Sequence, residues 1–216
     1  LSSMGEAIYL FSADSEGHLT GYTQGFRFPA SQADVSFGRY IGSEGRVSYP
    51  AQATLSLGEA NSGPRIGPVV INEIRYHPLR GEDEFVELKN RSDVPVKLYD
   101  EGLALGWRIN GLGYDFGPGS RLEAGEVVLI VGTEPSSFRQ RNGIPEEVRI
   151  FGPYPGTLQD GGETLTLLRP GVPVMGDNGD QIVPYIAVDS VRYDNVAPWP
   201  LTADGQGPSL ERISPH

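Results

Sequence analysis

In two pieces of the stretch from Val69 to Asn110 apolar and polar residues alternate one for one, a spacing that suits an extended chain with one dry face and not a helix. In E-F-V-E-L-K-N, Val86 and Leu88 share one face against Glu87 and Lys89, and in L-G-W-R-I-N, Leu105, Trp107 and Ile109 oppose Arg108 and Asn110. The stretch opens with V-V-I-N-E-I-R-Y, and His77-Pro78 ends that first strand, because the residue before proline avoids the helical region and proline gives the ladder no donor. Asn110-Gly111, followed by L-G-Y-D-F, predicts a tight two-residue turn in a hairpin from Leu105 to Phe116, since both central residues of such a turn need positive φ.

The rest of the chain continues the pattern. V-V-L-I-V at 127–131 is apolar on both faces and predicts a central strand. One short helix is predicted behind it, with Thr133 accepting from first-turn amides, Pro135 at the start and Asn142-Gly143 at the end. V-R-I-F, G-E-T-L-T-L-L and Val188 to Tyr193 supply later strands. With 29 Gly and 18 Pro scattered between short apolar runs, the fold class is all-β and rich in turns.

Charge and composition exclude several functions. The net charge of −11 and the lack of any basic run argue against nucleic acid, whose phosphates need clustered Lys and Arg. No apolar run is long enough to span a membrane. Without cysteine there is no disulfide, thiol catalyst or thiolate metal site. Leu1 to Glu6 has no basic flank and no start methionine, so the chain reads as cut from something longer, and its acidic, cysteine-free character suits a secreted or envelope-exposed module.

Residues 1–62 echo a later part of the chain. Leu1, Gly5, Glu6, Ile8 and Leu10 recur as Leu158, Gly162, Glu163, Leu165 and Leu167, each 157 positions on, and D-V-S-F-G-R-Y from Asp34 is aligned with D-S-V-R-Y from Asp189, 155 positions on. An internal repeat with a first copy that lacks its front half follows, with a linker at 63–68 inside N-S-G-P-R-I-G-P and a second module at 69–216.

Reaction chemistry is sparse. Glu82, Asp83, Glu84 and Glu87 form the densest acidic cluster, and Asp177, Asn178 and Asp180 look like part of a calcium loop, so both are candidate Ca²⁺ ligands. Solvated loops and ordinary turn chemistry account for the same residues, and the second set departs from the EF-hand spacing. His18, His77 and His216 are too far apart in sequence for a zinc motif, and neither a nucleophile elbow nor a phosphate loop is present, so no catalytic residue is assigned. Trp107 reads as core, whereas Trp199 between two prolines is the candidate contact residue for a ligand such as a sugar. Asn90-Arg91-Ser92 satisfies the glycosylation sequon.

The order of these pieces resembles the lamin-tail domain, an immunoglobulin-like module of nuclear lamins and bacterial extracellular proteins. The resemblance runs through I-N-E-I (71–74), E-F-V-E-L-K-N (84–90), Gly106-Trp107, L-E-A-G-E (122–126), G-E-T-L-T-L, V-R-Y (191–193), P-W-P and D-G-Q-G-P-S-L (204–210). Residues 1–62 resemble the rear of another copy. The resemblance implies an immunoglobulin-like β-sandwich with one short helix, without its final strand because the closing segment of bacterial copies is absent after S-L-E-R. It implies no catalysis and no cofactor. The expected role is a structural or protein-interaction module of a larger multidomain protein, with other domains or surface proteins as partners. Strand-mediated association is a further expectation, through residues 1–62 packing on the second module of the same or a neighbouring molecule. The other reading is a carbohydrate- or calcium-dependent surface-binding module.

Overall fold

The computed structural model describes residues 2–42, 45–176 and 178–213. The chain is all-β with one short helix. It divides into two units, Leu1–Arg65 with Gly171–Ile186, and Ile66–Pro170 with Ala187–His216. The first division falls among the turn formers at 63–68, and the segment at 171–186 groups with the first unit.

The first unit is built on a long antiparallel hairpin of β1 (Gly5–Ala13) and β2 (Leu19–Pro29), which places Gly5 opposite Pro29, Ile8 opposite Phe26 and Phe11 opposite Thr23. Its base is held by aromatic contacts: Phe26 stacks on Tyr49 at 4.0 Å between ring centres, and Phe28 lies 5.6 Å from Phe37. A small ladder joins β3 (Tyr40–Ile41) to β4 (Val47–Ser48).

The second unit begins with β5 (Val69–Arg75) and β6 (Phe85–Asn90). Short strands follow: β7 (Val96–Lys97), β8 (Tyr99–Asp100), β9 (Leu105–Gly106), β10 (Arg108–Asn110), β11 (Tyr114–Asp115) and β12 (Arg121–Leu122). After them come β13 (Val127–Val131), α1 (Pro135–Asn142), β14 (Arg149–Phe151) and β15 (Thr164–Pro170). In the first unit β16 (Val174–Met175) and β17 (Gln181–Ile182) pair, and the chain ends with β18 (Tyr185–Arg192) and β19 (Leu210–Glu211). Two main sheets result, ordered β14-β13-β6-β5-β19 and β11-β10-β15-β18.

The inward residues of both sheets form one core, with Ile71, Val86, Leu88, Val128 and Ile130 from one and Ile109, Leu165, Leu167 and Val188 from the other. Burying each is worth roughly 1.5–3 kcal/mol. β13 is apolar on both faces because α1 covers the outer one, where Phe138 packs on Leu129 and Val131. The next part of that outer face is acidic. Glu87 lies opposite Glu73, and Glu73 opposite Glu211, so three carboxylates stand in register across adjacent strands. Burial first, then Glu73 and Glu211, push the Glu87 carboxyl above its usual range, while the Asn72 amide donates to it at 2.7 Å.

Three local expectations are corrected. The hairpin at Asn110-Gly111 exists, but Ile109 pairs with Tyr114, and the loop runs from Asn110 to Gly113 with Gly113 N–H donating to the Ile109 carbonyl at 3.1 Å. A two-residue turn would have left Leu112 on a strand, and the longer loop sinks it fully into the core. Second, Thr133 does not cap α1: Glu134 holds the N-cap position with no side-chain cap, and the Thr133 hydroxyl accepts from Arg141 instead. Gly143 does close the helix in the left-handed region, at φ 62°. Third, the Leu105–Asn110 strand is broken at Trp107, whose amide donates to the Leu98 carbonyl, so its halves join different ladders.

The two stretches aligned in sequence share local geometry at their start, with a different second half. Gly5 and Gly162 have φ 94° and 95°. Glu6 accepts from the Ser2 amide at 2.8 Å as Glu163 accepts from the Gln159 amide at 2.9 Å. A Cβ on Gly5 would meet the Phe28 carbonyl at 2.7 Å, and one on Gly162 the Tyr193 carbonyl at 2.6 Å. Phe28 therefore stands where Tyr193 stands, and F-R-F at 26–28 is the counterpart of V-R-Y at 191–193. The alignment of Asp34 with Asp189 is overturned: Asp34 sits in a turn at φ 60°, whereas Asp189 lies in β18 and accepts from the Ile71 amide and from Arg212.

Candidate functional site

Polar groups of the second unit concentrate where the ends of β5 and β18 meet the loop at 153–163. β5 stops at Arg75, and the next two residues turn in opposite senses. Tyr76 is buried against Tyr193, with ring centres 4.7 Å apart, while His77 is part-exposed. His77 Nδ1 lies 2.7 Å from Asp204 Oδ1, its Nε2 lies 3.9 Å from Asp160 Oδ2, and its carbonyl accepts from Gly205. The Asp204 hydrogen bond raises the His77 pKa, opposed by partial burial and aided by the charges of Asp160, Asp204 and Glu84.

The carboxylates around it are occupied with building the loops. Glu84 accepts from the Leu158 amide at 2.9 Å and the Tyr154 hydroxyl at 3.3 Å, and burial pushes its carboxyl up. Tyr193 donates to Glu163 and faces the Gln159 carbonyl, both at 3.0 Å. Burial foremost, then the adjacent carboxylates, drives the Tyr154 and Tyr193 hydroxyls far up. Each of these bonds joins loop to strand or loop to loop, so the cluster as arranged is a clamp.

The clamp has a worked-out pH dependence. A histidine whose pKa is raised on folding contributes stability that is fully present below its unfolded value, near 6.5, and is lost as pH climbs through the raised folded value. Replacing His77 with Ala should therefore lower the urea midpoint at pH 6 and have a smaller effect at pH 9. Equal losses at both pH values would contradict the ion-paired clamp.

The three adjacent acids diverge. Glu82 pairs with Arg75. Asp83 takes a two-pronged contact from Arg141, at 2.7 and 2.9 Å, and a longer one from Asn142. Glu84 faces the opposite way into the clamp. Asn178 and Asp180 are exposed in the turn between β16 and β17, which closes through Gly176 N–H to the Asp180 carbonyl at 2.8 Å. Asp177 lies outside the described residues, as does His216. Among the described residues, no group of three or more His, Asp or Glu is arranged to hold a metal ion.

Trp199 is half-buried and packs against the main core. It also lines a crevice of about 140 Å³ with Ile71, Ile74, Val191, Leu210 and Arg212. That is well below the roughly 300–1,000 Å³ of small-molecule sites. His18 is exposed at the tip of the β1–β2 hairpin, where Asp14 accepts from its amide. The sequon asparagine, Asn90, is fully buried and its amide nitrogen is taken up by backbone carbonyls, so it cannot carry a glycan in this fold. Among the described residues no helix is long and apolar enough to cross a membrane.

What the sequence reading missed is the surface of the first hairpin. Its second strand has no counterpart among the strands expected from the sequence, although Tyr22, Gln24, Phe26 and Phe28 alternate with Gly21, Thr23, Gly25 and Arg27. The resulting hairpin leaves Tyr9 61 %, Leu10 68 %, Phe11 53 % and Tyr22 59 % exposed. In the repeat Leu10 corresponds to Leu167, which is 0 % exposed. One residue position is thus core in one unit and open in the other. No protein-family model matches the chain, and no curated protein matches it.

Proposed function

We propose that this chain is a non-catalytic structural and protein-interaction module of lamin-tail, immunoglobulin-like type, belonging to a larger secreted or surface-exposed multidomain protein. The observation that carries the reading is that the carboxylates around His77 accept structural amides and hydroxyls, so that this polar cluster holds loops together. Support also comes from the order of motifs between Val69 and Leu210.

A glycan array probed with the 216-residue chain, with and without Ca²⁺, tests it alongside a panel of ester, phosphoester and glycoside substrates. The expected result is no retained glycan and no turnover that disappears in His77→Ala. Glycan binding lost in Trp199→Ala, or binding that requires Ca²⁺, would replace the reading with that of a surface-binding module.

A further inference from the structure

We infer that Asn178 is a site of spontaneous backbone modification, where its side chain closes with the Gly179 amide to a succinimide and reopens as aspartate or isoaspartate. The sequence holds three Asn-Gly pairs, Asn110-Gly111, Asn142-Gly143 and Asn178-Gly179. A glycine after asparagine leaves the attacking nitrogen uncrowded and the backbone free to rotate, so local sequence alone makes the three pairs equivalent. Folding separates them.

In the reaction the Gly179 nitrogen gives up its proton to base and attacks the carbonyl carbon of the Asn178 side chain. The bond to the side-chain nitrogen breaks and ammonia leaves. Water then opens the ring at one of its two carbonyls, giving aspartate or an isoaspartate whose main chain runs on through the former side chain. One ammonia departs, one water enters, and nothing is oxidised or reduced. The product places a new negative charge beside Asp180 and, as isoaspartate, adds a backbone atom to the turn between β16 and β17.

The three sites differ in what ring closure must break. Asn142 lies in the last turn of α1, where its amide nitrogen donates to the Phe138 carbonyl at 3.0 Å and to Asp83 at 3.4 Å, and Gly143 N–H donates to the Arg139 carbonyl. Asn110 is exposed, but it ends β10 opposite Thr166, and Gly111 is pressed against the core, where a Cβ would stand 2.4 Å from Leu165. Asn178 is exposed, its side chain holds no hydrogen bond to another described residue, and nothing lies within 4 Å of the Cβ position of Gly179. Gly179 N–H does donate to the Gly176 carbonyl at 2.9 Å, but that turn closes a ladder of only two residue pairs, Val174 with Ile182 and Met175 with Gln181. So short a ladder, with Met175 largely exposed, opens locally at small cost.

The test uses the whole chain, incubated in warm, mildly alkaline buffer and followed by peptide mass spectrometry. Asn178 should gain about 1 Da at a rate about tenfold or more above that of Asn142 or Asn110, because closure at those two waits on local opening. Ion exchange should show one early acidic species, absent from Asn178→Gln, whose longer side chain would have to close a larger ring. The same incubation in urea that unfolds the chain should bring the three rates together, which isolates the contribution of the fold. Equal rates in the folded chain, a first mass gain at Asn110 or Asn142, or an acidic species unchanged in Asn178→Gln would overturn the inference. Each of those results would leave the non-catalytic reading standing, since that reading fails only on glycan binding or turnover.

Discussion

Leu167→Ala should destabilise the second unit by about 3–5 kcal/mol, whereas Leu10→Ala should change stability by less than about 0.5 kcal/mol. The two leucines hold equivalent places in the repeat, yet Leu167 is sealed between two sheets and Leu10 projects from a two-stranded hairpin. Truncating Leu167 removes apolar contact and leaves a cavity lined by well-packed neighbours. Truncating Leu10 removes surface that water already reaches. Urea denaturation of both variants in dilute solution checks the difference. Similar costs at the two positions would mean that Leu10 has a partner within the monomer.

Asn90→Ala should cost about 3–4 kcal/mol, an effect of core size from a polar residue. Asn90 is fully buried at the end of β6, and its amide nitrogen donates to the carbonyls of Val94 and Glu123 at 2.8 Å and to Leu122 at 3.3 Å. Its oxygen accepts from the amide and hydroxyl of Ser92. One side chain thus satisfies backbone groups from two loops, and alanine strands them away from water. Asn90→Asp should be nearly as damaging, because it replaces the donor with a charge facing carbonyls. A midpoint in urea within error of the unaltered chain would show that water or a rearranged loop satisfies those carbonyls.

The parts of the fold that could be read from the sequence are those where burial imposes a rhythm. β6, β15 and β18 each lie in a main sheet that faces the core, so their apolar residues recur at the spacing of a pleated strand, whereas β13 is an unbroken apolar run because α1 covers its other face. β2 is hard to see in the sequence because Gly21 and Gly25 fall inside it. Gly25 lies opposite Tyr9, and a Cβ there would stand 2.3 Å from the Tyr9 ring. The glycine makes room for an aromatic on the neighbouring strand, a tertiary reason that local composition does not carry. The acidic cluster failed for a related cause. Glu82, Asp83 and Glu84 are adjacent in sequence, but in the loop before β6 their carboxylates go to three separate partners, Arg75, Arg141 and the Leu158 amide. Trp199 lies in a loop between prolines, and its contact with the core depends on β5 and β19 standing beside it.

Hydrogen exchange of the unaltered chain, followed amide by amide, bears most directly on the claim that one strand of the repeat is closed and the other open. In dilute solution the amides of β15 should exchange only through global unfolding, and those on the outer edge of β1 should exchange with little protection. Protection of β1 equal to that of β15 in dilute solution would contradict the account.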